Sequence, residues 1–113
     1  MVTSAQTKSA GRVQSSTFVL RDQLRSRRAQ IERLAARHGA RNVRLFGSVV
    51  RGEERRSSDV DFLVDMEPKR SLMDMAGLAL DLETLIGRRV DVFTPESLKE
   101  RIRAEVLREA VAL

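Results

Sequence analysis

From Asp59 to Met66 the chain alternates without a break. Val60, Phe62, Val64 and Met66 fall on one side, and Asp59, Asp61, Leu63 and Asp65 on the other. A period of two is met by an extended strand with one face buried. Such a face needs helices or a second sheet to cover it, and the rest of the chain supplies helices. From about Thr17 to Arg37, Leu20, Leu24, Ile31, Leu34 and Ala35 recur at helical spacing, most arginines lie on other faces, and Gly39 sits where a C-terminal cap belongs. Val43–Phe46 reads as a short strand. Gly47-Ser48 ends it and opens a helical turn reaching about Gly52, and 53–58 is a polar loop. After a turn at 67–71, a helix is predicted over Leu72–Ile86, with Leu72, Met75, Ala76, Ala79, Leu82 and Ile86 on one side and Gly87 as its stop. Arg89–Phe93 is a third strand. Thr94-Pro95 marks a helix start, and the helix is expected to run to near Leu113 on a buried stripe of Leu98, Ile102, Val106, Ala110 and Leu113. The order α-β-α-β-α-β-α predicts an α+β fold, a small mixed β-sheet flanked by helices. Residues 1–16 have almost nothing to bury and read as a disordered tail before one domain over 17–113.

Composition narrows the chemistry. Without cysteine there are no disulfides and no thiolate zinc sites, and a single histidine, His38, rules out sites built from two or more. Metal binding must rest on carboxylates, whose oxygens suit hard cations such as Mg²⁺ or Mn²⁺. No apolar run is long enough for a membrane span of about 20 residues, and no secretory signal is evident at the start. The expectation is a soluble cytoplasmic protein. Residues 1–56 carry 13 Lys+Arg against 4 Asp+Glu, a net +9, whereas 57–113 carry 8 against 12, a net −4. A basic half favours polyanionic partners, but a solvated arginine-rich helix accounts for it equally well. The four aromatics are all Phe, a poor supply for stacking on nucleic acid. No second helix at helix-turn-helix spacing precedes the first strand, so direct DNA or RNA binding is not expected.

Three devices carry the chemical signal. Gly47-Ser48 lies between a strand and a helix, where unpaired N–H groups and the helix dipole accept a phosphate; alone, the pair also fits an ordinary turn. Asp59 and Asp61 are two apart on a strand, so both carboxylates leave the same face and can share metal ions; alone, they also fit a solvated strand start. Asp91 alternates with Val90 and Val92. It joins the other two if its strand pairs beside 59–66, and is otherwise an exposed residue of a sheet face.

In combination the pattern is more specific. Phe46-Gly47-Ser48, Arg51-Gly52-Glu53 and Ser58-Asp59-Val60-Asp61-Phe62-Leu63-Val64, then Asp91 on a later strand, resemble the minimal nucleotidyltransferase (MNT) family of the polymerase-β-like superfamily. The resemblance runs from about residue 25 to the C-terminus. It implies that Asp59 and Asp61 ligate Mg²⁺ (or Mn²⁺), that Asp91 is a further ligand or general base, and that Gly47 and Ser48 hold the β- and γ-phosphates of ATP. Arg51 joins them by charge, with a surface salt bridge as its alternative, and Ser58 completes the nucleotide-binding set. Family members of this size resemble antitoxins of HEPN-type RNA-cleaving toxins, some of which they neutralise by attaching AMP to a tyrosine. This chain has no tyrosine, so such a target lies in trans. Two other readings remain: an antitoxin that blocks the toxin by binding alone, and a stand-alone transferase acting on a small molecule or RNA.

Overall fold

A computed structural model describes residues 19–53, 55 and 57–113; the tail expected over 1–16 lies outside them. The elements are α1 (helical at 19–26), α2 (Arg28–Arg37), β1 (Ala40–Phe46), α3 (Ser48–Arg51), β2 (Val60–Met66), α4 (Leu72–Ile86), β3 (Val90–Phe93), a 3₁₀ turn (Pro95–Ser97), α5 (Glu100–Glu109) and β4 (Val111–Ala112). The four strands form one mixed sheet in the order β3-β2-β1-β4. β1 is antiparallel to β2 and β4, while β2 and β3 run parallel. A parallel pair needs a crossover, and α4 supplies it.

The alternation of β2 divides the interior in two. Val60, Phe62 and Val64 are fully buried and pack with Leu24, Ile31, Leu45, Leu78 and Leu82 on the side of α1, α2 and α4. Leu63 points the other way, into a smaller cluster with Phe46, Leu98 and Val106 under α5. The rings of Phe46 and Phe93 meet edge to face there, 5.4 Å between centroids. That second face is only partly covered, and its open part carries the acidic residues.

Several expectations are corrected. The first helix is broken at Arg27, whose guanidinium donates to the Leu85 carbonyl at 2.6 Å. β1 starts at Ala40 rather than Val43 and carries an irregularity between Arg41 and Arg44, where Asn42 has φ 55°. On α4 the buried residues are Leu78 and Leu82, whereas Leu72 is 77% exposed. The long terminal helix is three elements. Thr94 caps the 3₁₀ turn, Leu98 and Lys99 are extended, and α5 stops at Glu109 so that Val111 and Ala112 can pair with Leu45 and Arg44 of β1.

Helix α4 starts on a capping box: Ser71 accepts from the Met73 N–H at 3.2 Å, and the Asp74 carboxylate accepts from the Ser71 N–H at 2.9 Å. That backbone bond is the main reason the Asp74 carboxyl sits below its usual pKa. Ser71→Ala is expected to cost about 1 kcal/mol, or about 4–8 °C in melting temperature for a domain of this size. The cap is remote from the acidic face, so nucleotide affinity should not change. Thermal unfolding alongside nucleotide titration checks both halves.

Candidate active site

The turn after β1 is built around one glycine. Gly47 has φ 81° and ψ −151°, a region that only glycine occupies readily. Its carbonyl accepts from the Val50 and Arg51 N–H groups, which starts α3. Ser48 is the first residue of α3 and is half-buried. A Cβ placed on Gly47 would lie 2.4 Å from Oδ2 of Asp61. The glycine is therefore what allows the Asp61 carboxylate to press against the turn. Sequence places these two residues apart, and the Phe46↔Asp61 register of β1 and β2 joins them.

The parallel pairing of β2 and β3 sets Asp61 directly beside Asp91. Asp59, just before β2, lies close enough to Asp91 for a hydrogen bond between their carboxyls. The three predicted acids thus converge on one sheet face beside Gly47. Their proximity shows in their chemistry. Burial, then the charges of Asp91 and Asp59, raise the Asp61 pKa to about 6, with Arg51 opposing. Asp91 is raised by burial and by its hydrogen bond and repulsion with Asp59, against the pull of Arg89. Asp65, on the same strand, is not part of the group: Asn42 and Arg44 hold its two oxygens at 2.9 and 2.8 Å.

This donor set is all carboxylate oxygen, which fits a hard divalent cation. Among the described residues no group of three or more acidic or histidine side chains is arranged to hold a metal ion as it stands. Asp59 pairs with Arg89, 3.1 Å from its Nε, while keeping within reach of Asp91.

The remaining predicted residues are placed as follows. Arg51 bridges two carboxylates, Glu53 at 2.8 Å and Glu109 at 2.7 Å, and remains half exposed beside Gly47. The salt-bridge alternative is thus present in the structure, and both partners raise its pKa. The Ser58 hydroxyl accepts from the Arg55 N–H at 2.8 Å, while Arg88 donates to the carbonyls of Arg55 and Ser58. These bonds brace the loop ahead of β2. Sequence reasoning missed Glu109 and Arg89. Both act over more than 25 positions of chain, and no local spacing signals them.

A cavity of about 260 Å³ opens between the Gly47 turn and α5, lined by Phe46, Gly47, Arg51, Asp61, Glu105 and Glu109 among others. It is below the roughly 300–1,000 Å³ of pockets that engulf a small molecule, so a nucleotide would lie in it partly exposed. A larger depression of about 360 Å³ lies between α1 and the end of α4. Among the described residues its lining holds no carboxylate, and its Arg27 is already engaged. The smaller one is the cavity that carries the predicted site residues Gly47, Arg51 and Asp61.

The chain belongs to the nucleotidyltransferase domain family, whose model matches residues 27–113. Among its relatives is the protein adenylyltransferase MntA of Thermococcus cleftensis, 47% identical over 83 residues, covering 74% of this chain and 84% of that protein. A solved structure assigned as a minimal nucleotidyltransferase superposes with a TM-score of 0.73 at 52% identity, covering 81% of this chain and 94% of that one. A toxin–antitoxin complex crystallised with AMP-PNP matches with a TM-score of 0.61 at 22% identity, over 71% of this chain and 66% of that one, and shares the fold. The chain is a nucleotidyltransferase enzyme. No helix among the described residues is long and apolar enough to cross a membrane.

Proposed function

We propose that this protein transfers AMP from ATP to a hydroxyl of a partner toxin, a HEPN-type ribonuclease, and thereby neutralises it in the cytoplasm. The observation that carries the reading is the contact of Gly47 with the Asp61 carboxylate. It brings a phosphate-accepting turn against a cation-seeking acidic group, the two halves of a nucleoside triphosphate–metal site. The relatives add the acceptor class: one is named a protein adenylyltransferase and another neighbour is a toxin–antitoxin complex.

In this reading Asp59 and Asp61 would hold Mg²⁺, which would supply positive charge for the triphosphate and for the leaving pyrophosphate, and Asp91 beside them is the general base. The Gly47 turn and Ser48 bind the β- and γ-phosphates, and Arg51 adds charge beside them. The hydroxyl oxygen of the acceptor bonds to the α-phosphorus, the bond from that phosphorus to the β-bridging oxygen breaks, and pyrophosphate leaves. Asp91 receives the hydroxyl proton. A tyrosine is the acceptor favoured here, and it must belong to the partner.

Incubating the protein with its partner toxin, ATP and Mg²⁺ should add the mass of one AMP to a tyrosine of the partner and abolish its ribonuclease activity. Loss of ribonuclease activity with no added mass would refute transfer to this partner and leave an antitoxin that acts on it by binding alone.

A further inference from the structure

Glu109 uses both of its oxygens on the groups assigned to the nucleotide. Oε2 accepts from the Gly47 N–H at 2.7 Å and Oε1 from the Arg51 guanidinium at 2.7 Å. Its side chain is only 20% exposed, and it lines the cavity that opens beside Asp61. A pair of anionic oxygens spanning a main-chain N–H and an arginine is what a phosphate group would present there. We propose that Glu109 is an affinity-determining residue of the nucleotide site: its carboxylate occupies the phosphate cradle in the free protein and must be displaced by the triphosphate. This inference rests on the nucleotide reading of the Gly47 turn.

Three features make the exchange practicable. The Gly47 N–H is a single donor, so one good bond to it excludes another. Arg51 has a second acid, Glu53 at 2.8 Å, so it keeps its position when Glu109 leaves. Glu109 is also the last residue of α5, and its side chain can swing out by rotation about its own bonds. While it stays, its negative charge faces the place where a triphosphate must arrive and adds to the repulsion that Asp61 already feels.

The test is the dissociation constant of ATP with Mg²⁺, measured by calorimetry for the native chain and for Glu109→Gln. The amide keeps the shape and loses the charge, and a charge-assisted bond given up in this way corresponds to about tenfold. Binding about tenfold tighter in Glu109→Gln supports the proposal. Unchanged binding overturns it, and weaker binding overturns it in favour of a residue that positions Arg51. If neither chain binds ATP, the nucleotide reading itself fails and this inference with it. Should Glu109→Gln not fold, Glu109→Asp replaces it: one methylene shorter, it cannot reach both donors, and the same tightening is expected. A second readout needs no nucleotide. The Gly47 amide proton should be protected from exchange in the native chain and lose that protection in Glu109→Ala, which leaves no side-chain acceptor; equal protection overturns the proposal.

Discussion

Asp61→Asn is expected to abolish nucleotidyl transfer while making the metal-free protein more stable. The loss follows from the position of the carboxylate, beside Asp91 across the β2–β3 pair and against Gly47. Metal-assisted stabilisation of a transferring phosphoryl group amounts to several kcal/mol, so a decrease of about a thousandfold or more should be seen. The gain in stability follows from the same crowding. In the folded chain the Asp61 pKa is raised from 3.8 to about 6, so the folded state holds this proton more tightly than the unfolded state. The associated stability is complete below about pH 4 and is lost as the pH rises through about 6. After allowance for partial solvent screening, about 1–2 kcal/mol disappears across that window. The asparagine variant should lose this pH dependence and melt several degrees higher at pH 7. Mg²⁺ should raise the melting temperature of the native chain and leave the variant unchanged. A native-like melt at pH 7 together with retained transfer would contradict both halves. With the partner toxin present, the same variant separates the enzyme from the scaffold, because neutralisation that survives Asp61→Asn needs no chemistry.

Gly47→Ala should be nearly as damaging, for two separable reasons. At φ 81° and ψ −151° a side chain is strained by about 1–3 kcal/mol wherever it is placed. Here the new methyl also meets Asp61 Oδ2 at 2.4 Å, so either the turn or the carboxylate must shift, and the site opens with it. Gly87→Ala is the matched control. That glycine has φ 79°, yet nothing lies within 4 Å of the position a Cβ would take. It should lose stability through strain alone and keep ATP binding and transfer. Denaturant unfolding and a nucleotide titration on both variants check this. Equal loss of binding in the two would mean that the contact with Asp61 is irrelevant.

The parts of the fold legible in the sequence were those with a local signal. Alternation located β2 to within one residue of Val60–Met66, and the helical stripe of Leu20, Leu24, Ile31 and Ala35 is buried as expected. The Thr94-Pro95 signal was real, but it caps a 3₁₀ turn. Leu98 and Val106 face the same cluster, which is why their spacing mimicked one unbroken helix. The two residues of β4 are too short for any periodicity to register. The acids themselves were readable from type and spacing. Their spacing alone left the convergence open, since it depends on Asp61 pairing with Asp91 across a crossover, and only the family resemblance implied it. Glu109 lay beyond reach for the same reason: only the end of α5 and the return of β4 to β1 bring it to Gly47.

The odd and even positions of β2 answer to different demands. The even ones, Val60, Phe62 and Val64, are wholly enclosed and hold the helices to the sheet, whereas Asp61 and its neighbour Asp59 serve only the opposite surface. A lineage of such chains could therefore surrender its acids one by one and still keep its outline, so that catalytic decay and structural decay run on separate clocks. For a protein proposed to act on a toxin, that parity leaves a ready route from modifying its partner to merely gripping it.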